Sequence, residues 1–206
     1  MTEAKTSPRP RGRPRRAAAS KAIIDATLVL LAEGGFQAAT IDAIAARAGV
    51  GRNTIYRRWP AKEELIADAL HELTAELDEL EDDDLHALLL DRIRDFARVF
   101  ADPLFGRILP AVLGELPRNP AFARVYAARV VRPRRQAIVE LLTRALERGE
   151  LRRGVDVNQI ADLLAGPPFL RFLALGLPPV TEQYAEELLE TIWHGIKPVA
   201  PERSRP

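Results

Sequence analysis

Apolar residues recur at helical spacing along most of the chain, and nowhere do they alternate long enough to suggest a strand. Ile23, Ala26, Thr27, Leu30 and Leu31 share one face and predict a helix from Ser20 to Glu33, ended by Gly34-Gly35. After a short connector that starts at Phe36, Ile41, Ile44, Ala45 and Ala48 stand at i, i+3, i+4 and i+7. Thr40 suits the N-cap of that second helix, Asp42 suits the dipole of its first turn, and Gly49 supplies the stop. A third short helix, Arg52 to Trp59, is anchored inward by Ile55 and Trp59 and ended by Pro60.

The pattern then lengthens. A fourth helix starts after Ala61 and runs from Lys62 toward Leu80, with Leu65, Ile66, Ala69, Leu70, Leu73 and Leu77 inward, fading into the acidic cluster Glu79 to Asp84. Asp84 caps the next, Leu85 to Ala101. Asp102-Pro103 and Asn119-Pro120 are two restarts of one kind, an N-cap followed by proline in the first turn. The first opens a segment through Leu116 that Pro110 should kink or shorten, and the second a pattern to about Arg148, ended by Gly149. Pro133 predicts a kink or division inside the latter. Asp156 opens a helix carrying Ile160, Leu163 and Leu164, with a break expected at Gly166-Pro167-Pro168 and a very apolar run, Phe169 to Leu177, beyond it. Thr181 caps a last helix reaching Trp193 to Ile196. The chain is predicted to be all-α.

The stretch Thr40 to Lys62 repays closer phasing. With about 100° per residue, Ile55 and Trp59 face one way and Asn53, Thr54 and Arg57 the other. Arg52 and Tyr56 lie on one flank and Arg58 on the opposite flank. A helix this short is unstable alone. It makes sense when held by its apolar side with the polar side offered to a partner. Helix, glycine turn, second helix is the helix-turn-helix arrangement, whose second helix enters a DNA major groove.

Charge sharpens that picture. Residues 1–60 hold eleven Lys/Arg against four Asp/Glu, a net +7, and the rest carries 19 against 25, a net −6. A basic head on an acidic body expects a polyanion for the head only. Residues 1–18, rich in Pro, Arg and Ala, read as a disordered basic arm. Its Arg11-Gly12-Arg13-Pro14, followed by Arg15, resembles the core of an AT-hook suited to the minor groove; a sequence-blind phosphate-binding tail is the plainer use.

Other chemistry finds no support. The 206 residues include no cysteine, so there is neither a disulfide framework nor a thiolate site. His71, His86 and His194 fall on separate helices without ligand spacing, and no P-loop, GxSxG or GxGxxG occurs. No catalytic residue, cofactor or metal is expected. No stretch has the length and apolarity of a membrane span, and no apolar core follows the basic N-terminus as in a secretory signal.

Residues from about 20 to 70 resemble the N-terminal domain of the TetR family of bacterial transcriptional regulators. The resemblance rests on Ile44-Ala45-x-x-Ala48-Gly49-Val50, on Thr54-Ile55-Tyr56 and on Trp59-Pro60-Ala61-Lys62-Glu63, with apolar Ile23, Leu30, Phe36 and Leu65 in register. It implies that Thr40, Tyr56 and Lys62 meet phosphate, that Arg52, Asn53, Thr54 and Arg57 approach bases and backbone, and that Arg58 stands beside them. Arg11, Arg13 and Arg15 would add contacts from the arm. The chain departs from the family at Gly51, where a capping Ser is usual, at Asn53, where Gly or Ala is frequent, and at Ala61. Asparagine at 53 can pair with adenine through N6 and N7.

The resemblance further implies a domain organisation: a basic arm (1–18), a helix-turn-helix domain (19–65), a helical effector-binding and dimerisation domain (66–198) and a disordered tail (199–206). The expected function is a cytoplasmic, homodimeric regulator, a repressor in most such proteins, bound to a palindromic operator and released by a small molecule. An apolar or aromatic effector is expected against Phe96, Phe100, Phe105, Leu109, Leu113 and Tyr126, each of which would serve equally as core. The dimer interface is expected at Leu163, Phe169, Phe172, Leu173, Leu188 and Ile192, with a fully buried helix as the alternative reading of that apolar run. The rival function is a nonspecific architectural DNA binder working through the arginine-rich arm.

Overall fold

The computed structural model describes residues 13–74, 84–173, 175 and 180–198, with side chains from Arg16 onward. Ten α-helices and one π-helical turn occur among these residues, and no strand. They are α1 (Arg13–Ala38), α2 (Ile41–Ala48), α3 (Arg52–Tyr56), α4 (Lys62–Leu73), α5 (Leu85–Ala101), α6 (Pro103–Glu115), α7 (Pro120–Tyr126), the π-helical turn Ala127–Val131, α8 (Arg132–Glu147), α9 (Val157–Leu173) and α10 (Glu182–Ile196).

Helix starts follow their caps. Asp84, Asp102, Asn119 and Thr181 each accept a backbone N–H from the first turn of α5, α6, α7 and α10, and Asp156 Oδ1 accepts Asn158 N at 2.9 Å ahead of α9. Each cap satisfies a donor that the helix itself leaves unpaired.

Four boundaries differ from the sequence expectation. α1 begins at Arg13 rather than Ser20, inside the stretch expected as an arm, and short helical backbone resumes after the break at Gly34-Gly35. The break itself is a left-handed step, with Gly35 at φ 69° and ψ −164°, a conformation that burdens any side chain. α4 ends at Leu73 rather than near Leu80; Leu77 and most of the acidic cluster lie outside the described residues. The kink expected at Pro133 takes the form of the π-helical turn just before it. A proline cannot donate to the carbonyl four residues back and crowds it, and a wider turn relieves both.

The expected break at Gly166-Pro167-Pro168 does not occur: α9 runs through both prolines to Leu173. Tertiary packing overrides local propensity here. Ile160, Leu164 and Pro168 recur every four residues on the buried face, so continuing the helix seats Pro168 in the core.

Two cores form. The first joins Ile23, Leu31, Ile44, Ile55, Trp59, Leu65 and Ile66 of α1–α4 to Ile108 and Val112 of α6 and Phe122 of α7. The Phe36 and Phe122 rings meet at 4.7 Å between centroids. The second core holds α5, α8, α9 and α10 together through Leu89, Ile93, Leu142, Leu164 and Leu189. A smaller aromatic group, Phe100, Phe105 and Leu109, lies between them. No helix among the described residues is long and apolar enough to cross a membrane.

Candidate nucleic-acid interface

The α2–turn–α3 unit is built from caps and two anchors. Thr40 Oγ1 accepts the Ala43 N–H at 3.1 Å, which leaves its own hydroxyl proton for an outside acceptor. Gly49 adopts φ 64°, and Val50 N donates to Ala45 O at 3.0 Å, so the carbonyls at the end of α2 are closed off as the chain turns. α3 has five residues, yet its last turn continues through hydrogen bonds: Arg57 N to Asn53 O at 3.2 Å and Trp59 N to Ile55 O at 2.9 Å. Ile55 is fully buried and Trp59 nearly so. Packing, not length, holds this helix.

Opposite those anchors, Arg52, Asn53, Tyr56 and Arg57 are exposed and Thr54 is half-buried. Arg52 Nη1 pairs with Asp42 Oδ1 at 3.0 Å, both ends in solvent, a bond worth at most about 1 kcal/mol and easily exchanged for a phosphate. Arg58 is placed elsewhere: it is half-buried, and its Nη2 donates to the Arg16 carbonyl of α1 at 2.5 Å. Lys62 is also partly withdrawn. Its Nζ donates to Phe36 O at 3.1 Å and sits 4.1 Å from the Phe36 ring centre. Burial pushes the Lys62 ammonium below its ordinary pKa, against the pull of Glu63 and Glu115. Arg11 lies outside the described residues, and of Arg13 and Arg15 only the helical backbone is described.

Deleting residues 1–12 removes Lys5, Arg9 and Arg11 and stops short of α1. If the arm lies on DNA, the slope of log affinity against log salt falls by about 0.9 for each phosphate that is no longer neutralised. An unchanged slope would take the arm off the DNA.

Behind α3, Trp59 Nε1 donates to Asp68 Oδ2 at 2.8 Å. The other oxygen of Asp68 accepts Arg129 Nη1 at 2.6 Å, and Arg129 Nη2 reaches Glu64 at 2.6 Å. These hydrogen bonds hold the Arg129 guanidinium above its ordinary pKa, Asp68 contributing most. Sequence reading passed over this group because 61 residues separate Arg129 from Asp68 and each alone resembles a solvated helix charge.

A cavity of about 330 Å³ lies in the body. Phe96, Phe100, Phe105, Leu109 and Tyr126 border it, whereas Leu113 packs beside it on the aromatic group. Val130 and Val131 of the π-helical turn, Ile138 of α8, and Ala161, Ala165 and Phe169 of α9 complete the apolar wall. Polar groups enter through Thr74, Arg134, Arg135 and Asp162. Arg134 donates to His71 O at 3.2 Å and to Thr74 Oγ1, and Arg135 Nε donates to Asp162 at 2.9 Å. The α8 and α9 lining carried no cavity signal in the sequence, where small and apolar residues read as core.

The residues expected at a dimer interface divide. Leu163 and Leu170 are 48% and 54% exposed on the outer face of α9, whereas Phe169, 41% exposed, borders the cavity with its ring 6.2 Å from Phe100. Phe172 and Leu173 instead pack on the aromatic group, the Phe172 ring stacked 5.2 Å from Phe100. Leu188 packs against the second core and Ile192 is buried within it, so their own chain already uses them.

Comparison with known proteins gives matches at both ends of the chain. The profile of the bacterial regulatory proteins of the tetR family matches residues 23–69, and that of the tetracyclin repressor-like C-terminal domain matches residues 80–192. The uncharacterised HTH-type transcriptional regulator YdeS of Bacillus subtilis (strain 168) is 33% identical over 189 residues, which is 91% of this chain and 94% of that protein. The HTH-type transcriptional repressor KstR of Mycobacterium tuberculosis (strain H37Rv) is 26% identical over 173 residues, 84% of this chain and 66% of that protein. Among solved structures, the flavonoid-responsive regulator FrrA superposes with a TM-score of 0.67 at 26% identity, covering 89% of this chain and all (100%) of the other.

Proposed function

The chain belongs to the TetR family of bacterial transcriptional regulators, and from that premise we propose that it is a homodimeric repressor whose hold on a palindromic operator is released by a small apolar or aromatic molecule. The observation that carries the DNA half of this reading is the division of α3. Ile55 and Trp59 are buried, while Asn53 and Arg57 stand exposed on the other side with bidentate base-reading chemistry. Two such helices in a symmetric dimer read half-sites about one helical turn apart. Thr40 and Tyr56 supply flanking donors to phosphate. Arg58 ties the end of the reading helix to α1 through the Arg16 carbonyl, and Lys62 ties the start of α4 to α1 through Phe36.

The cavity supports the ligand half. Its volume suits a small molecule, and its wall is aromatic and aliphatic with few polar groups, the usual make-up of a pocket that binds by burial and orients by a few hydrogen bonds. The Phe96 and Phe100 rings, stacked 6.3 Å apart on the cavity wall, favour a flat ligand, in keeping with the response to flavonoids by which FrrA is named. Repression agrees with the description of KstR.

Selection of bound sequences from random duplex DNA by the purified full chain tests the reading. A discrete palindrome with two equal half-sites supports it; enrichment of no sequence defeats it in favour of nonspecific arm binding. The dimer face is tested separately. Replacing Leu163 and Leu170 by glutamate puts charge on a face that is solvent-exposed in the single chain, so the fold survives and light scattering reads a monomer. A stable dimer of that variant would move the interface off α9.

A further inference from the structure

Asp68 holds two partners with its two oxygens. Oδ2 takes the indole N–H of Trp59, the residue that closes the last turn after α3, and Oδ1 takes Arg129. Arg129 spans one turn of α4 by gripping Glu64 with its second terminal nitrogen. It belongs to the π-helical turn, and that turn is also cavity wall: Val130 and Val131 border the cavity, as does Tyr126 immediately before it. Arg129 is therefore the chain neighbour of a cavity-wall residue, Val130.

The turn itself has room to rearrange. It carries one residue more than an α-helical turn needs, and relaxing it toward α geometry rotates the preceding residues by up to about 100° around the axis. A planar guanidinium forked across two carboxylates tolerates little rotation. We propose that Arg129 is a positioning residue for the DNA-reading helix: it fixes Asp68 where that carboxylate holds Trp59, and it lets go when a ligand displaces the π-helical turn.

A second series of contacts leaves the same wall. Tyr126 packs on Phe122 at 5.8 Å, Phe122 on Phe36 at 4.7 Å, and Phe36 carries Lys62. These ring contacts bind head to body without a directed charge, and they are the route the signal takes if Arg129 is only structural. The inference rests on the cavity as the control site, and its test separates the two.

The experiment uses the full chain and the operator recovered by selection, in a Trp193→Phe background so that the emission comes from Trp59 alone. Ala165→Phe places a ring in the cavity from α9, away from Arg129 and from the DNA face, and serves as the fixed probe of occupancy. With Arg129 present, the added ring weakens operator binding about tenfold and shifts the Trp59 emission. With Arg129→Met, which keeps the stem and removes the fork, the same ring changes affinity by no more than about twofold and leaves the emission in place; Arg129→Lys recovers part of the response. A tenfold loss that persists in the Met variant overturns the inference and assigns the signal to the aromatic series. No loss on adding the ring with Arg129 intact, in a chain that melts normally, defeats the cavity as control site and the inference with it. Should Ala165→Phe fail to fold, Ala165→Leu takes its place with the same outcomes.

Discussion

Alanine at Arg57 weakens binding to the selected operator by about 1–3 kcal/mol and flattens base preference at one position of each half-site. Arg57 is exposed at the end of α3 while its own backbone N–H is fixed to Asn53 O. The backbone is thus held and the exposed fork is offered, the arrangement that lets arginine meet O6 and N7 of guanine together. A dimer makes the contact twice, so the loss per operator exceeds the loss per head. Arg58→Ala is the informative control. That guanidinium is half-buried and bonded through Nη2 to the Arg16 carbonyl, so its removal loosens α3 against α1 and lowers affinity evenly across sequences. Recovered operators with unchanged selectivity from Arg57→Ala, or a changed base preference from Arg58→Ala, would reverse the two assignments.

That contrast shows where sequence reading succeeds. Helical phase alone divides α3 correctly into Ile55 and Trp59 inward and Asn53 and Arg57 outward, because a helix face is a local property of spacing. It puts Arg58 merely on a flank, and only the fold shows that α1 passes within its reach. Caps behave in the same way. Thr40, Asp84, Asp102, Asn119 and Thr181 announce themselves because a cap bonds within three residues of its own position.

Distance in the chain defeats the rest. Gly166-Pro167-Pro168 carries a strong local signal to stop, and the helix continues because Pro168 is wanted on a face set by α5 and α8. The cavity is assembled from α4 to α9, and half its wall consists of residues such as Ala161, Ala165 and Ile138 that look like filler in any helix. Asp68, Glu64 and Arg129 are ordinary surface charges until the π-helical turn is brought against α4. The aromatic residues Phe96, Phe100 and Phe105 were legible as a group, since their side chains have few other uses than burial.

Phe122→Ala is expected to destabilise the protein by about 3–5 kcal/mol, the range for removing a large ring from a closed site. Phe122 is fully buried in the first core, on α7, and its ring lies 4.7 Å from Phe36 of α1 in the head. On its other side Tyr126 stands at 5.8 Å, at the cavity wall. The ring is therefore a large part of what makes head and body one cooperative unit. Its loss should do more than lower the melting temperature. In the Trp193→Phe background, Trp59 emission reports the head alone and should change at lower urea than the helical circular dichroism, which the body dominates; the same background with Phe122 intact should give coincident curves. Phe122→Leu, which keeps most of the volume, should cost less than about 1.5 kcal/mol and keep the curves together. A loss below about 1 kcal/mol for alanine would mean that the site collapses around the gap. Coincident curves after a large loss would mean that α6 packing through Ile108 and Val112 alone keeps the head on the body.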